Sequence, residues 1–591
     1  MYLTNLFNHK ALVSLLIATW SIVICPSMMA YGYDEAEAVR QADQILQGFQ
    51  KELEKRVETY EVEREKQHSI IEAPAVEDFP SSIEGGKSFY VTKIIFEGAE
   101  SLSVKQHTSL TRPYLDRLLT LQDINNLMQA ITNEYIKVGQ ITARVYLPKQ
   151  DLSAGTLKLL IIEGVIEDIS YRNNSVRDRL QTFFAFPCRK GKTLNIRDIE
   201  HGIDQMNQLQ SNNVTMQIIP CSKPGYSIIQ IDNAARERLN FGVALDNSGQ
   251  KESGEQQMKL NVSYDNIIGI NDFLALTFGR TPNKASSEHH SDNYSIYYSV
   301  PFKKLNFTYT TSKMRYTNGF GAPSEGHGKH EMTGSSITHA FGMEYLLRRD
   351  QKSKLYFKSS LNLKETQNNT NEARMAANSK KYTNLELGPK YVYYGLGGIW
   401  SVYPHLKKGL KILDADKDAA NRPRGTSKLQ YTAYIMDVDY NASFGLAGAQ
   451  FMYSNNIKAQ YSKDNLPKGD SLSLGGASSI RGYHGKSFDG HKGIYSQNNL
   501  HLLLSNHKYK DSALSRFIGI VMPYVGYDLG HVRSQYEQVK QNAHSVAFGV
   551  KNQAGILQFN FYHAKALNPP KGTPKRHRSS SSFLVGLNFK V

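Results

Sequence analysis

Cysteine is scarce in this chain, with 3 among 591 residues. Cys25 lies in the apolar stretch at the start, which leaves Cys188 and Cys221 and at most one bridge between them. Beyond Ile24 no long uncharged apolar run occurs, so the sequence offers no further candidate for a membrane-spanning helix. No nucleophile, base and orienting acid fall into a catalytic constellation, and no cofactor motif is found. Nucleic acid is set aside as a partner: the formal charge is +16, but no motif interleaves aromatic and basic residues.

What is present begins with a leader. Lys10 precedes an apolar run from Ala11 to Ile24, followed by small residues ending at Ala30. Residues 1–30 therefore read as a signal peptide cleaved after Ala30. Export to an oxidising compartment makes a Cys188–Cys221 disulfide the expected state, worth about 3–4 kcal/mol in the chain-entropy model. Two buried thiols are the alternative. In an exported chain the basic balance suits the lumen or rims of a barrel.

Residues 31–67 read as a helix. Val39, Ala42, Leu46, Phe49, Leu53 and Val57 form a narrow apolar stripe among many charged residues, suited to a solvated or pore-filling helix. A linker over 68–87 carries Pro74, Pro80, Gly85 and Gly86. A duplication follows. Leu119–Ile124 matches Leu194–Ile199, with Thr120 and Asn195 placed as helix N-caps. Each helix precedes two strand-like runs, 141–146 and 156–163 in the first unit, 214–219 and 227–231 in the second. The expected domains are two α+β modules, 88–166 and 167–234.

From 235 to 591 the pattern has period two. Tyr294, Ile296, Tyr298 and Val300 face one way, and at the end Phe583, Val585, Leu587 and Phe589 do the same. Strands of about ten residues, abundant Tyr and Phe, and connections alternating between tight turns and long polar loops such as 281–292 and 566–580 favour a membrane barrel over a soluble sandwich. Within this region Gly475–Tyr483 forms a Gly/Ser-rich loop around Arg481, and Asp528 lies about one strand later. An Arg flanked by glycines on a long loop calls for a fixed anionic partner, and an Arg481–Asp528 pair would hold the loop inside the pore. Two His-containing segments, 288–292 and 327–331, are weak metal candidates in expected surface loops, and no metal site is assigned. Lys571, Lys575, Arg576 and Arg578 make a basic loop tip that could meet anionic lipid.

The order of leader, helix, linker, two modules and barrel resembles the two-partner secretion transporters, the TpsB family. These belong to the superfamily that joins POTRA domains to a 16-stranded barrel. The resemblance rests on Tyr146–Leu152 with Ile162-Glu163-Gly164, on Leu194–Leu209, on Asp246–Gly249 and Asp265–Asp272, on the tetrad Ile480-Arg481-Gly482-Tyr483, and on Tyr524–Gly530. Ile480 stands where Val is usual, Pro220-Cys221 where Pro-Gly is common, and Val591 where an aromatic is frequent. Five strands after the tetrad are expected. The resemblance implies a non-enzymatic monomer in outer-membrane lipid, inserted by the barrel-assembly machinery, with its POTRA domains in the periplasm. It implies a large secreted exoprotein, of haemolysin or adhesin type, as cargo. It implies a lock of Ile480, Arg481, Gly482 and Tyr483 on Asp528, and a helix that plugs the resting pore. The surface expected to bind cargo includes Gln122, Lys137, Ile141, Val145 and Tyr146. An insertase of the same superfamily is the alternative, although those usually carry more POTRA units. Some haemolysin transporters also activate their cargo, which the sequence leaves open.

Overall fold

The computed structural model describes residues 35–66, 68–71, 88–171, 175–249, 253–282, 289–320, 330–376, 379–422, 425–483, 488–504, 512–534, 539–569 and 578–591. The expected signal peptide, most of the linker and the basic tip from 571 to 577 lie outside these residues. The chain opens with helix α1 (Glu35–Glu65).

The first module holds β1 (Phe89–Val91), β2 (Lys93–Glu97), α2 (Val104–Thr111), β3 (Arg117–Leu119), α3 (Leu121–Lys137), β4 (Arg144–Tyr146) and β5 (Thr156–Ile162). Thr120 and Asp123 close a capping box at the start of α3, as the sequence suggests. The helix then turns Ile124, Leu127, Ile131 and Tyr135 onto Leu157 and Leu159 of the sheet β2-β5-β4. Gly139 has φ +94° and ends the helix where a side chain would run into Asn195. The second module repeats the plan with β6 (Val165–Tyr171), α4 (Val176–Ala185), α5 (Ile196–Asn207), β7 (Val214–Pro220) and β8 (Tyr226–Asn233). Ile199, Ile203 and Met206 of α5 pack on Ile229 and Ile231 of β8. Sequence periodicity found the later strands of each module and missed β1, β2, β3, β6, α2 and α4, whose runs are short or mixed.

The expected Cys188–Cys221 disulfide is not formed; both residues are free thiols. Cys188 follows α4 and packs against the core of the second module, where burial pushes its thiol up to about 12. Cys221 lies at the turn from β7 to β8, its amide bonded to Tyr226. The two belong to different parts of the module.

Sixteen strands then close a barrel. They are β9 (Leu239–Asp246), β10 (Gln257–Asp265), β11 (Phe273–Arg280), β12 (His289–Phe302), β13 (Leu305–Phe320), β14 (His330–Arg349), β15 (Ser353–Thr370), β16 (Lys380–Gly395), β17 (Gly398–Leu410), β18 (Thr432–Leu446), β19 (Ala449–Ser462), β20 (Lys492–Leu503), β21 (Ile520–Ser534), β22 (Val539–Gln553), β23 (Leu557–Ala566) and β24 (Ser579–Lys590). Neighbours run antiparallel, and β24 pairs with β9 from Leu584↔Asp246 to Lys590↔Asn240. Leu239 and Val591 exchange both backbone hydrogen bonds at the seam, 3.1 and 2.8 Å. Closure matters because lipid cannot satisfy a free strand edge. Val525, Tyr527 and Leu529 of β21 point outward, while Tyr524, Asp528 and Val532 are buried inside. Five strands, β20 to β24, follow the tetrad as expected. The loop expected at 281–292 is shorter, because His289, His290 and Asp292 begin β12.

The second module sits on the short turns of the barrel. The Lys303 amide donates to the Phe184 carbonyl (2.5 Å), and the Phe184 and Phe302 rings meet edge to face at 5.5 Å. His201 of α5 bonds the Lys303 carbonyl at 2.9 Å. Asp204 and Glu200 of α5 face Arg349, and Lys354 reaches Asp204 at 2.7 Å. Burial acts to raise the Asp204 pKa, but Lys354 and Arg349 outweigh it and hold the carboxyl below its usual range.

Burial lowers the His201 pKa from 6.5 to about 3, so the docked imidazole is neutral. An undocked His201 takes up a proton below pH 6.5. The joint therefore keeps its full strength above that pH and loses it as pH falls toward 3. At pH 5 the loss is about 2 kcal/mol. Hydrogen exchange of the α5 amides, corrected for intrinsic rates, should be faster at pH 5 than at pH 7, and His201→Gln should flatten the difference.

Candidate functional site in the barrel lumen

Asp528 is a buried acid of the barrel wall, fully shielded from solvent at mid-strand in β21. Four donors converge on it. The Arg481 backbone N–H and Nε reach Oδ2 at 3.0 and 2.8 Å, Nη2 reaches Oδ1 at 2.5 Å, and Ser545 Oγ donates to Oδ2 at 3.0 Å. The rest of the guanidinium is used as well. Nη1 donates to Asn499 Oδ1 (2.7 Å) and Nη2 to the Asn498 carbonyl (3.3 Å). The planar fork of Arg and the two lone-pair directions of a carboxylate match here in a way that Lys could not reproduce. Gly526 and Gly530 flank Asp528 on the same face of the strand. A Cβ at Gly526 would occupy the guanidinium's place, and one at Gly530 would press on Ile480 and Leu474. The Gly-Tyr-Asp-Leu-Gly run is thus a seat cut for the loop.

The other tetrad residues finish the docking. Ile480 and Tyr483 pack with Leu474, Val532, Ala543 and Ala566. A Cβ on Gly482 would meet the backbone of Lys565 and Ala566. The Tyr483 hydroxyl donates to Asn568 Oδ1 (2.8 Å), and Ser580 Oγ donates to the Arg481 carbonyl. Sequence reasoning found the pair and missed a second anchor in the same loop. Asp470, in a short 3₁₀ turn, accepts from Lys364 of β15 and Lys407 of β17, each at 2.8 Å. The loop therefore reaches across the lumen from β15 and β17 to β21.

Helix α1 occupies much of the remaining lumen. Its 31 residues span about 46 Å, more than the height of a hydrocarbon core. Near its start Ala42, Ile45, Leu46 and Phe49 pack on Met314, Tyr316, Met332 and Met375. Gln47 and Lys51 donate to the Lys468 and Ser473 carbonyls of the loop, at 3.2 and 3.4 Å. Farther along the contacts turn ionic: Glu52 with Lys259 (2.5 Å), Glu61 with Lys358 (2.6 Å), and Arg64 with Glu344. Tyr60 lies between Phe273 and Tyr297.

The five residues expected to bind cargo divide. Gln122 and Tyr146 are exposed, as is Lys137, whose ammonium pairs with Glu134 at 3.2 Å. Val145 is 3% exposed and belongs to the first module's core; Ile141 is 4% exposed and belongs to the second's. Both must be withdrawn as open cargo contacts, because an apolar alternation reads alike in a core strand and in a binding edge. Gln122 and Lys137 stand at opposite ends of α3, about 22 Å apart along its axis. β4, which carries Tyr146, is an edge strand of its sheet. His289 and His290 lie on a barrel strand, and no group of three potential metal ligands occurs among the described residues.

Comparison with known proteins agrees with this architecture. The family model for haemolysin secretion/activation proteins ShlB/FhaC/HecB matches residues 225–552. A ShlB-type POTRA domain matches 89–164, and a further POTRA domain 165–220. The chain is 33% identical over 436 residues to the outer membrane transporter CdiB of Dickeya dadantii, covering 73% of this chain and 75% of that one. It is 26% identical to the hemolysin transporter protein HpmB of Proteus mirabilis, covering 89% and 90%. The solved structure of CdiB from Escherichia coli superimposes with a TM-score of 0.82 at 24% identity, covering 93% of this chain and 98% of that one, and so shares its fold. The two modules are POTRA domains, and they face the periplasm beneath an outer-membrane barrel. The chain belongs to the haemolysin secretion/activation protein family ShlB/FhaC/HecB, and it is an outer-membrane transporter of the two-partner secretion type.

Proposed function

We propose that this transporter recognises an unfolded partner exoprotein in the periplasm through its POTRA domains and passes it through the barrel to the cell surface. The observation that carries the reading is the division of the lumen into a fixed half and a removable half. The loop is fixed by Arg481 on Asp528, both almost fully buried. The helix is held to the wall by Glu52, Glu61 and Arg64, which remain 26%, 18% and 14% exposed. Ion pairs with access to water are weak and exchange readily. Withdrawal of α1 would open a polar passage beside the loop. Folding of the cargo outside the cell supplies direction without any nucleotide.

Recognition begins on the first POTRA domain, where an extended segment can add to the β4 edge beside Tyr146 and along α3 between Gln122 and Lys137. The cargo is a large exoprotein of haemolysin or adhesin type. Activation of that cargo is a further activity of this reading, and it is scored by lysis of target cells with the secreted product.

Co-expression with a candidate exoprotein tests the proposal. Cargo should reach the medium with the intact transporter. With Arg481→Ala secretion should be lost, while the barrel still shows its heat-dependent gel shift, because Asp528 then keeps an uncompensated charge costing about 3–5 kcal/mol of loop docking. Full secretion by that variant would refute the lock, and defects spread over other outer-membrane proteins would favour an insertase. Deletion of residues 35–65 should raise conductance in planar bilayers; unchanged conductance would rule out a plug.

A further inference from the structure

The residues just after α1 lie on a composite surface of the second POTRA domain and the barrel, and their backbone makes most of the contacts. The Ser69 N–H donates to Asp204 Oδ1 at 2.7 Å, the Ser69 carbonyl accepts from Arg349 Nη2 at 2.8 Å, and the Ile71 N–H donates to Glu200 Oε1 at 3.0 Å. In an extended chain the N–H and C=O of residue i and the N–H of residue i+2 lie along one edge. Two carboxylates and a guanidinium thus do here what a neighbouring strand would do. Side chains alternate accordingly: Ile71 packs into the core of the second POTRA domain while Ile70 is 51% exposed.

Both acids are nearly inaccessible, Glu200 at 1% and Asp204 at 4% exposed. Arg197 bonds both Glu200 oxygens at 2.8 Å, which orients one acceptor toward the strap. His68 adds a ring stacked on Tyr394, 3.6 Å between centroids, and a 3.0 Å bond to the Gln351 carbonyl. From Ile71 a cleft of about 400 Å³ continues between the two POTRA domains and the turn joining β14 to β15, lined by Ile136, Lys137, Ile141, Gln351 and Lys352. Ile141 and Lys137, both expected from the sequence to contact cargo, line this cleft together.

We infer that Glu200, Asp204 and Arg349, with the adjoining cleft, form a site for an extended polypeptide backbone, occupied at rest by the chain's own residues 68–71 and taken by an extended segment of the exported polypeptide when the linker leaves. This rests on the transport reading above and names the place where cargo and plug compete. The site reads N–H and C=O groups, so it accepts many sequences, provided the segment is extended and places an apolar residue where Ile71 lies. The strap begins three residues after α1 ends, so an occupant that displaces it also frees the base of the helix.

The test uses the purified full-length transporter in detergent. Ile71→Pro removes the N–H that Glu200 accepts and leaves α5 and the barrel untouched. The probe is a fluorescent peptide with the sequence of residues 66–74. The peptide should bind Ile71→Pro at least about tenfold more tightly than the wild type, whose site is already filled. N-methylation of the peptide at the positions of Ser69 and Ile71 should abolish binding. An N-terminal fragment of an exoprotein that the wild type secretes should displace the peptide. Equal affinity for the two proteins, binding that survives N-methylation, or failure of that fragment to compete would each overturn the site while leaving transport intact. Absence of any secretion by the wild type would overturn the transport reading and the site with it.

Discussion

A carboxylate that water cannot reach, set in the wall of an otherwise wet lumen, constrains this molecule more than any other group. A buried carboxylate is costly unless donors surround it, and three of the four on Asp528 come from one residue of a distant loop. Satisfying the charge therefore fixes the loop. Once Arg481 is seated, the glycines of β21 admit Ile480 and Leu474 to the wall, and the first part of the loop reaches Lys364 and Lys407 through Asp470. Beside the loop runs α1, bonded to it through Gln47 and Lys51.

The two occupants of the lumen differ in kind. The loop is anchored by groups that would be costly to leave unpaired in a dry setting, so it stays. The helix has a short apolar patch near its start and a longer stretch of ion pairs whose helix side keeps some access to water, which is a weaker kind of hold. Its lower end is tied to the strap on Glu200 and Asp204. The POTRA domain, the turn after β14 and the foot of the helix thereby share one set of charges. This gives the periplasmic domains a physical connection to the pore that does not require the barrel to deform.

Much of this was legible in the chain. Period-two alternation located the late barrel strands, capping residues located α3 and α5, and an Arg between glycines announced a partner that Asp528 supplies. Other features escaped for identifiable reasons. Asp470 is one acid in a polar loop, and its lysines lie more than a hundred and about sixty residues upstream, so no local spacing joins them. The strap at 68–71 uses its backbone, which carries no residue signature. Val145 follows the pattern of a binding edge because a three-residue core strand has the same alternation, and Ile141 lies in the turn just before that strand. The cysteine pair was inferred from parity and compartment, neither of which measures distance.

Strand length varies around the barrel. β9, β10 and β11 have 8, 9 and 8 residues, whereas β13, β14 and β15 have 16, 20 and 18. A tilted strand needs about 9–11 residues to cross a hydrocarbon core. The wall at β9 to β11 is thus at or slightly below what an average bilayer needs, and the wall at β13 to β15, about a quarter turn around the barrel, is taller than one. Lipids along the short flank must compress to cover it, at a modest cost per ångström of mismatch. The barrel consequently sits in a membrane of uneven thickness, thinnest beside its first three strands.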